Sequence, residues 1–151
     1  MSGYLLDTNV ISMLSPSRAG ASPAFLAWLE LKDAEDLIFL SVVTIHEIEK
    51  GIALLDHKGA VAEAAGLKVW LSGLVATYDD KILVLDATAA AISGQLEAAA
   101  IAAGYAPGMA DAAIAGIAKA HDLIVITDNT KHFLPFGVAV SSPDGVARTS
   151  N

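Results

Sequence analysis

The sequence predicts an α/β fold, a three-layer α/β/α arrangement on a central parallel sheet of four to five strands. Three observations carry this. Short apolar runs recur at Tyr4-Leu5-Leu6, Ile38-Phe39-Leu40, Ile82-Leu83-Val84-Leu85 and residues 123–126. Between them, apolar residues return every three or four positions, as on amphipathic helices. Each run is continuous and not alternating, as in parallel strands covered by helices on both faces.

Taken in order, Tyr4-Leu5-Leu6 is a buried strand that stops at the polar turn Asp7-Thr8-Asn9. A short helix over residues 10–14 ends before Pro16. Pro23, with its fixed φ, suits the first turn of a helix over about residues 24–32. After the strand at Ile38-Phe39-Leu40, the positions Ile45, Ile48, Ile52 and Leu55 form one apolar helical stripe, with Glu47 outside it beside Gly51 and Leu54. The next helix buries Leu67, Trp70, Leu71 and Leu74 at the same spacing. Residues 82–85 form a third strand, expected at the sheet edge, and Asp86 caps the helix carrying Ile92 and Leu96, which ends near Gly104. Pro107-Gly108 turns the chain into a helix over residues 110–121. Residues 123–126 are the most strongly apolar strand, and Val138-Ala139-Val140 adds an edge strand. No repeat or Pro/Gly/Ser-rich linker divides the chain, so one domain is expected over residues 1–146, followed by a flexible tail at 147–151.

Composition narrows the function. At 151 residues and 54% apolar content, the chain supports one compact domain with a real core. It has no cysteine, which excludes disulfides, zinc–thiolate sites and thiol nucleophiles and suits a reducing cytoplasm. The opening residues lack a basic segment and reach Asp7 too early for a secretory leader. The alanine-rich stretch over residues 98–118 is interrupted by Pro107, Gly108 and Asp111, so it reads as two helices and a turn, with no membrane association expected. The net charge of −8 argues against simple nucleic-acid binding and suits a basic protein partner. Neither a P-loop, a dinucleotide-binding glycine fingerprint nor a nucleophile-elbow motif is present.

The acids are arranged more informatively than they are numerous. Asp7 directly follows the first strand, and Asp128-Asn129 follows the fourth. Glu47 lies in the first turn of the helix after the second strand. Asp111 starts a helix that returns to the fourth strand, so its N-terminus faces the same rim. That rim is the carboxyl edge of the sheet, where α/β proteins collect ligands. Several carboxylates on one rim repel one another unless a divalent cation lies between them.

Each acid also has an ordinary reading. Asp7 suits an Asx-turn, Asp111 a helix cap or first-turn acid, and Asp128 a turn with Asn129. Thr44-x-x-Glu47 matches a capping box. Caps explain acids at helix starts, but they do not explain acids at two strand ends as well. Arg18, Lys50 and Lys131 lie close in sequence to the rim and are candidate phosphate contacts, against the simpler reading of solvated surface charges. His46 and His132 read first as exposed surface histidines.

Together these segments resemble the PIN-domain ribonucleases, and among them the VapC-type toxins of bacterial toxin–antitoxin pairs. The resemblance runs from the segment Tyr4-Leu5-Leu6-Asp7-Thr8-Asn9 through Thr44-Ile45-His46-Glu47 and Asp111-Ala112-Ala113 to Thr127-Asp128-Asn129 and beyond. It implies a PIN-like fold in which Asp7, Glu47 and Asp111 bind metal. In that family the fourth position falls in a Thr-x-Asn/Asp pattern, so here either Asp128 or Asn129 completes the catalytic set. Asn9 and Thr127 are implied as supporting or water-positioning groups.

By the same resemblance the chain is an endoribonuclease toxin. Carboxylate-bound Mg2+ or Mn2+ activates water against an RNA phosphodiester, a homodimer is expected, and a cognate antitoxin protein inhibits it. The alternatives are a catalytically inactive PIN module for protein or RNA docking, and a DNA-directed nuclease. A metal-dependent phosphohydrolase on a similar sheet would want Asp-x-Asp after the first strand, whereas Thr8-Asn9 follows Asp7 here.

Overall fold

The computed structural model describes residues 3–18 and 20–149. Five parallel strands form one sheet in the order β3-β2-β1-β4-β5. They are β1 (Tyr4–Leu6), β2 (Ile38–Ser41), β3 (Ile82–Leu83), β4 (Ile124–Ile126) and β5 (Val140–Ser141). The helices are α1 (Thr8–Met13), α2 (Pro23–Ala34), α3 (Val42–His57), α4 (Val61–Tyr78), α5 (Ala87–Ala102), α6 (Met109–Ala120), α7 (Thr130–Phe133) and α8 (Pro143–Thr149).

The continuous apolar runs follow from the layering. Successive strand residues point to opposite faces, so a strand covered on both sides must be apolar at every position. Leu6, Ile38, Leu40 and Ile126 pack into one cluster with Val10, Phe25, Trp28, Ile48, Ile52 and Leu71. Leu5 and Val125 enter the other, with Ala112, Ile114, Ile117 and Phe133. Thus α1, α2, α3, α4 and α8 cover one face, and α5, α6 and α7 the other. Each buried Leu or Ile contributes about 1.5–3 kcal/mol, so both faces hold the sheet in place.

Gly116 brings α6 against α5. A Cβ there would lie 2.7 Å from the Ala89 carbonyl oxygen and 2.8 Å from the Ser93 Cβ. No side chain fits, so the two backbones approach as only glycine permits. This contact seats α6, whose first turn carries Asp111.

The fold class, the parallel sheet and the edge position of β3 agree with the sequence. Several boundaries differ. Strand β3 stops at Leu83 and not Leu85, because its partner β2 ends at Ser41, which pairs with Leu83 and caps α3. Strand β5 is Val140–Ser141, in register with Val125 and Ile126, and not residues 138–140. The expected boundary at 146 falls inside α8, whose Val146 and Ala147 are buried in the core cluster that holds Phe25 and Trp28. The expected flexible tail therefore starts within a packed helix, while residues 150 and 151 lie outside the described residues. Among the described residues, no helix is long and apolar enough to cross a membrane. The alanine-rich stretch divides between α5 and α6, as expected.

Candidate active site

The chain leaves β1 and β4, the two central neighbours, in register, and Asp7 and Thr127 are the next residues of each. From β1 the connections run outward to β2 on one side, while β4 lies on the other. This is a switch point in strand order, where a crevice opens at the carboxyl edge.

Asp7 is buried, at 5% exposure, and both its oxygens are engaged. Its Oδ1 accepts the Thr8 backbone N–H at 2.8 Å, capping α1, and its Oδ2 accepts the Thr127 hydroxyl at 2.8 Å. The Thr127 oxygen in turn accepts the Asn129 backbone N–H at 3.0 Å and the Asn9 side-chain amide at 3.3 Å. One hydroxyl has one proton and two lone pairs, so Thr127 is saturated and its orientation is set. Asn9 Oδ1 accepts the Asp128 backbone N–H at 3.2 Å, tying the loop after β4 to the start of α1.

Glu47 is held differently from the capping box that Thr44-x-x-Glu47 suggests. Helix α3 begins directly after β2, with Ser41 as its cap, so Thr44 is its third residue and Glu47 lies beyond the first turn. Glu47 Oε1 instead accepts the Thr8 hydroxyl at 2.6 Å. Thr8 and Thr44 hydroxyls are 3.0 Å apart. Because the single Thr8 proton goes to Glu47, Thr44 donates to Thr8, giving a directed chain Thr44→Thr8→Glu47.

Asp111 is the third residue of α6, after Gly108 at the N-cap, and its Oδ2 lies 3.6 Å from His132 Nδ1. The three acids, supplied by separate segments, line one open cavity of about 300 Å3. Thr8, Asn9, Ser12, Arg18 and Asn129 complete its wall.

The electrostatics report the crowding. Burial pushes the Asp7 carboxyl up to about 6, against the Thr127 and Thr8 hydrogen bonds that lower it, and Asp111 and Glu47 add repulsion. Burial also raises Asp111; His132 opposes this and Glu47 reinforces it. The donor set facing the cavity is carboxylate, hydroxyl and amide oxygen, with no sulfur, which fits a hard dication. Among the described residues, no three histidine, aspartate or glutamate side chains stand close enough together to hold a metal ion as they are placed. Of the hard dications, Mg2+ asks least of such a wall, because it keeps several waters and takes one or two carboxylates.

The other sequence candidates fall in different places. Of the pair after β4, both exposed, Asn129 lines the cavity, whereas Asp128 does not and donates its backbone N–H to Asn9. Arg18 lines the acid cavity. Lys131 lines a neighbouring cavity that shares Asp111. Lys50 and His46 are exposed on α3 and line neither cavity. Thr8 and Ser12 stand in the wall although sequence reasoning gave them no role. Thr8 had a signal, its place directly after Asp7; Ser12 had only its position one turn further along α1.

Carboxylates gathered from distant segments at the carboxyl edge of a parallel sheet define a class of α/β proteins with an acid-lined rim. Within that class, the chain belongs to the PIN domain family, whose sequence profile matches residues 4–134. It is 35% identical over 142 residues to Toxin FitB of Neisseria gonorrhoeae, covering 92% of this chain and 96% of the relative. It is 32% identical over 140 residues to VapC ribonuclease Y4jK of Sinorhizobium fredii, with the same coverage. Among solved structures, FitAcB from Neisseria gonorrhoeae matches with a TM-score of 0.75 at 34% identity, over 93% of this chain and 97% of that one. DNA-bound VapBC from Salmonella typhimurium shares the fold at 24% identity, with a TM-score of 0.75 over 95% of this chain and 99% of that one.

Proposed function

We propose that the protein is the toxin of a toxin–antitoxin pair, a metal-dependent endoribonuclease that hydrolyses RNA phosphodiester bonds. One observation carries this: Asp7, Glu47 and Asp111, from three distant segments, line a single cavity in which burial and mutual repulsion raise Asp7. That repulsion is a cost without a cation and a source of affinity with one. Relatives named as a toxin and as a VapC ribonuclease, at over 30% identity across nearly the whole chain, support the assignment.

In this reading Asp7, Glu47 and Asp111 hold Mg2+ or Mn2+. When bound, such an ion lowers the pKa of water and offsets the charge that develops at phosphorus. The chain's own groups do the rest. Thr127 and the Thr8 N–H fix Asp7, and the Thr44–Thr8 chain aims Glu47. Arg18 offers a fork of donors to a substrate phosphate, and Asn129 presents its side chain to the same space.

The solved FitAcB and FitAB structures, 34% identical to this chain, support a partner protein, and we place that partner at the acidic rim. A basic inhibitor segment complements a chain of net charge −8 with an acidic cavity. We assign a homodimeric, cytoplasmic protein on the same family grounds.

The test is cleavage of a pooled RNA set in Mg2+, Mn2+ or EDTA, comparing wild type with Asp111→Asn. Cleavage with metal, none in EDTA, and loss in the variant are expected. An Asp111→Asn protein as active as wild type overturns the assignment, and preferential cleavage of single-stranded DNA transfers it to a DNA-directed nuclease.

A further inference from the structure

A second cavity, of about 390 Å3, adjoins the acid cavity and shares Asp111 with it. Its two walls differ in chemistry. One is the loop between α5 and α6. Gly104, at φ 94°, turns the chain after α5, and the Tyr105 backbone N–H is anchored on the Ala100 carbonyl at 3.0 Å. Tyr105 is left 55% exposed, with Pro107 also in the wall. An exposed aromatic side chain on an anchored backbone offers a base a surface on which to stack.

The other wall is α7. Phe133 is fully buried, and Phe136, with its ring centroid 6.1 Å away, is 5% exposed. These two rings pin the short helix to the core, so Lys131 and His132 stand exposed and line the cavity, with Pro135 below them. His132 Nδ1 reaches to 3.6 Å from Asp111 Oδ2. Only nine Lys and Arg residues occur in this acidic chain. One of them stands beside the cavity that holds the acids, and Arg18 lines that cavity itself.

An apolar aromatic face, a cationic face and a junction with the acid cavity together match one nucleotide. The base has a flat apolar surface, the phosphate an anionic one, and the volume is in the range of small-ligand sites. We propose that this cavity is a nucleotide subsite. It receives the nucleotide adjoining the scissile bond of single-stranded RNA, with the base on Tyr105 and its phosphate at Lys131 and His132. Only an unpaired base exposes a face for stacking, so the subsite selects single strands or loops. The proposal rests on the nuclease reading above and adds to it where the strand lies and what discriminates among substrates.

The experiment has two arms. In the first, wild-type protein with Mn2+ is offered bis(4-nitrophenyl) phosphate, a diester without bases that reads the acid cavity. No hydrolysis there, with no RNA cleavage, removes the nuclease reading and the subsite with it. In the second, fluorescence anisotropy measures binding of a labelled single-stranded RNA octamer to protein carrying Asp7→Asn, which prevents turnover. Adding Tyr105→Ala should weaken binding about tenfold or more, while Tyr105→Phe, which keeps the ring, binds like its parent. Adding Lys131→Gln should lower the salt dependence of log Kd by about 0.7, the loss of one phosphate contact. Diester hydrolysis by the wild type, together with octamer binding unchanged by Tyr105→Ala and by Lys131→Gln, overturns the subsite alone.

Discussion

The Thr8 hydroxyl donates to Glu47 Oε1 at 2.6 Å across a separation of 39 residues. It joins the first residue of α1 to the acid of the third helix, and Thr44 completes the relay at 3.0 Å. Thr8→Val keeps the shape and removes the donor. We expect kcat to fall about tenfold, equivalent to about 1.4 kcal/mol, with KM for short RNA little changed. Thr8→Ser should restore activity. Steady-state kinetics on one RNA substrate decide it, and a Thr8→Val enzyme with wild-type kcat removes the positioning role.

The raised Asp7 makes the metal-free fold less stable as pH rises. Its carboxyl titrates near about 6 in the folded chain against 3.8 ordinarily, so the native state binds this proton more tightly than the unfolded state does. Its stabilising protonation is complete below about pH 4 and lost as pH rises through 6, a change of about 3 kcal/mol. Asp111 shifts in the same direction. In EDTA, Asp7→Asn should therefore raise Tm at pH 7.5 and flatten the Tm profile between pH 4 and 7. A variant whose Tm falls with pH as steeply as wild type contradicts this.

A divalent cation should reverse that penalty. At neutral pH, Mn2+ at about 100 times its Kd adds about 2.7 kcal/mol of stability by mass action. Differential scanning fluorimetry should show a rise in Tm for wild type and none for Asp111→Asn. Equal shifts in the two proteins would place the ion elsewhere.

Asp128 and Asn129 separate cleanly. Asn129→Ala removes a side chain from the acid cavity and should lower kcat/KM about tenfold. Asp128→Ala changes an exposed side chain, and stability should stay within about 0.5 kcal/mol with cleavage retained. Reversed phenotypes would assign the catalytic position to Asp128.

Gly116→Ala forces a Cβ to 2.7 Å from the Ala89 carbonyl oxygen. Separating α5 from α6 should cost about 1–3 kcal/mol and displace Asp111. Urea unfolding measures the first effect and cleavage the second; a variant as stable as wild type would show that the two helices yield without strain.

By itself, the sequence determined the layered sheet, the order of its elements and the gathering of Asp7, Glu47 and Asp111 at one rim. Such features are written locally: a strand covered on both faces is apolar at each position, a helix repeats every three or four residues, and polar residues mark strand ends. Tertiary structure alone decided the rest. Strand β3 is short because its partner ends, and α8 is a helix because Val146 and Ala147 find a core to enter. Which of Asp128 and Asn129 faces the cavity depends on Asn9 and Thr127, which hold the backbone N–H groups of that loop. The grip on Glu47 spans 39 residues and that on Asp7 spans 120. A hydrogen bond depends on an ångström-scale approach between groups so far apart in the chain, and no local pattern of residues encodes that distance.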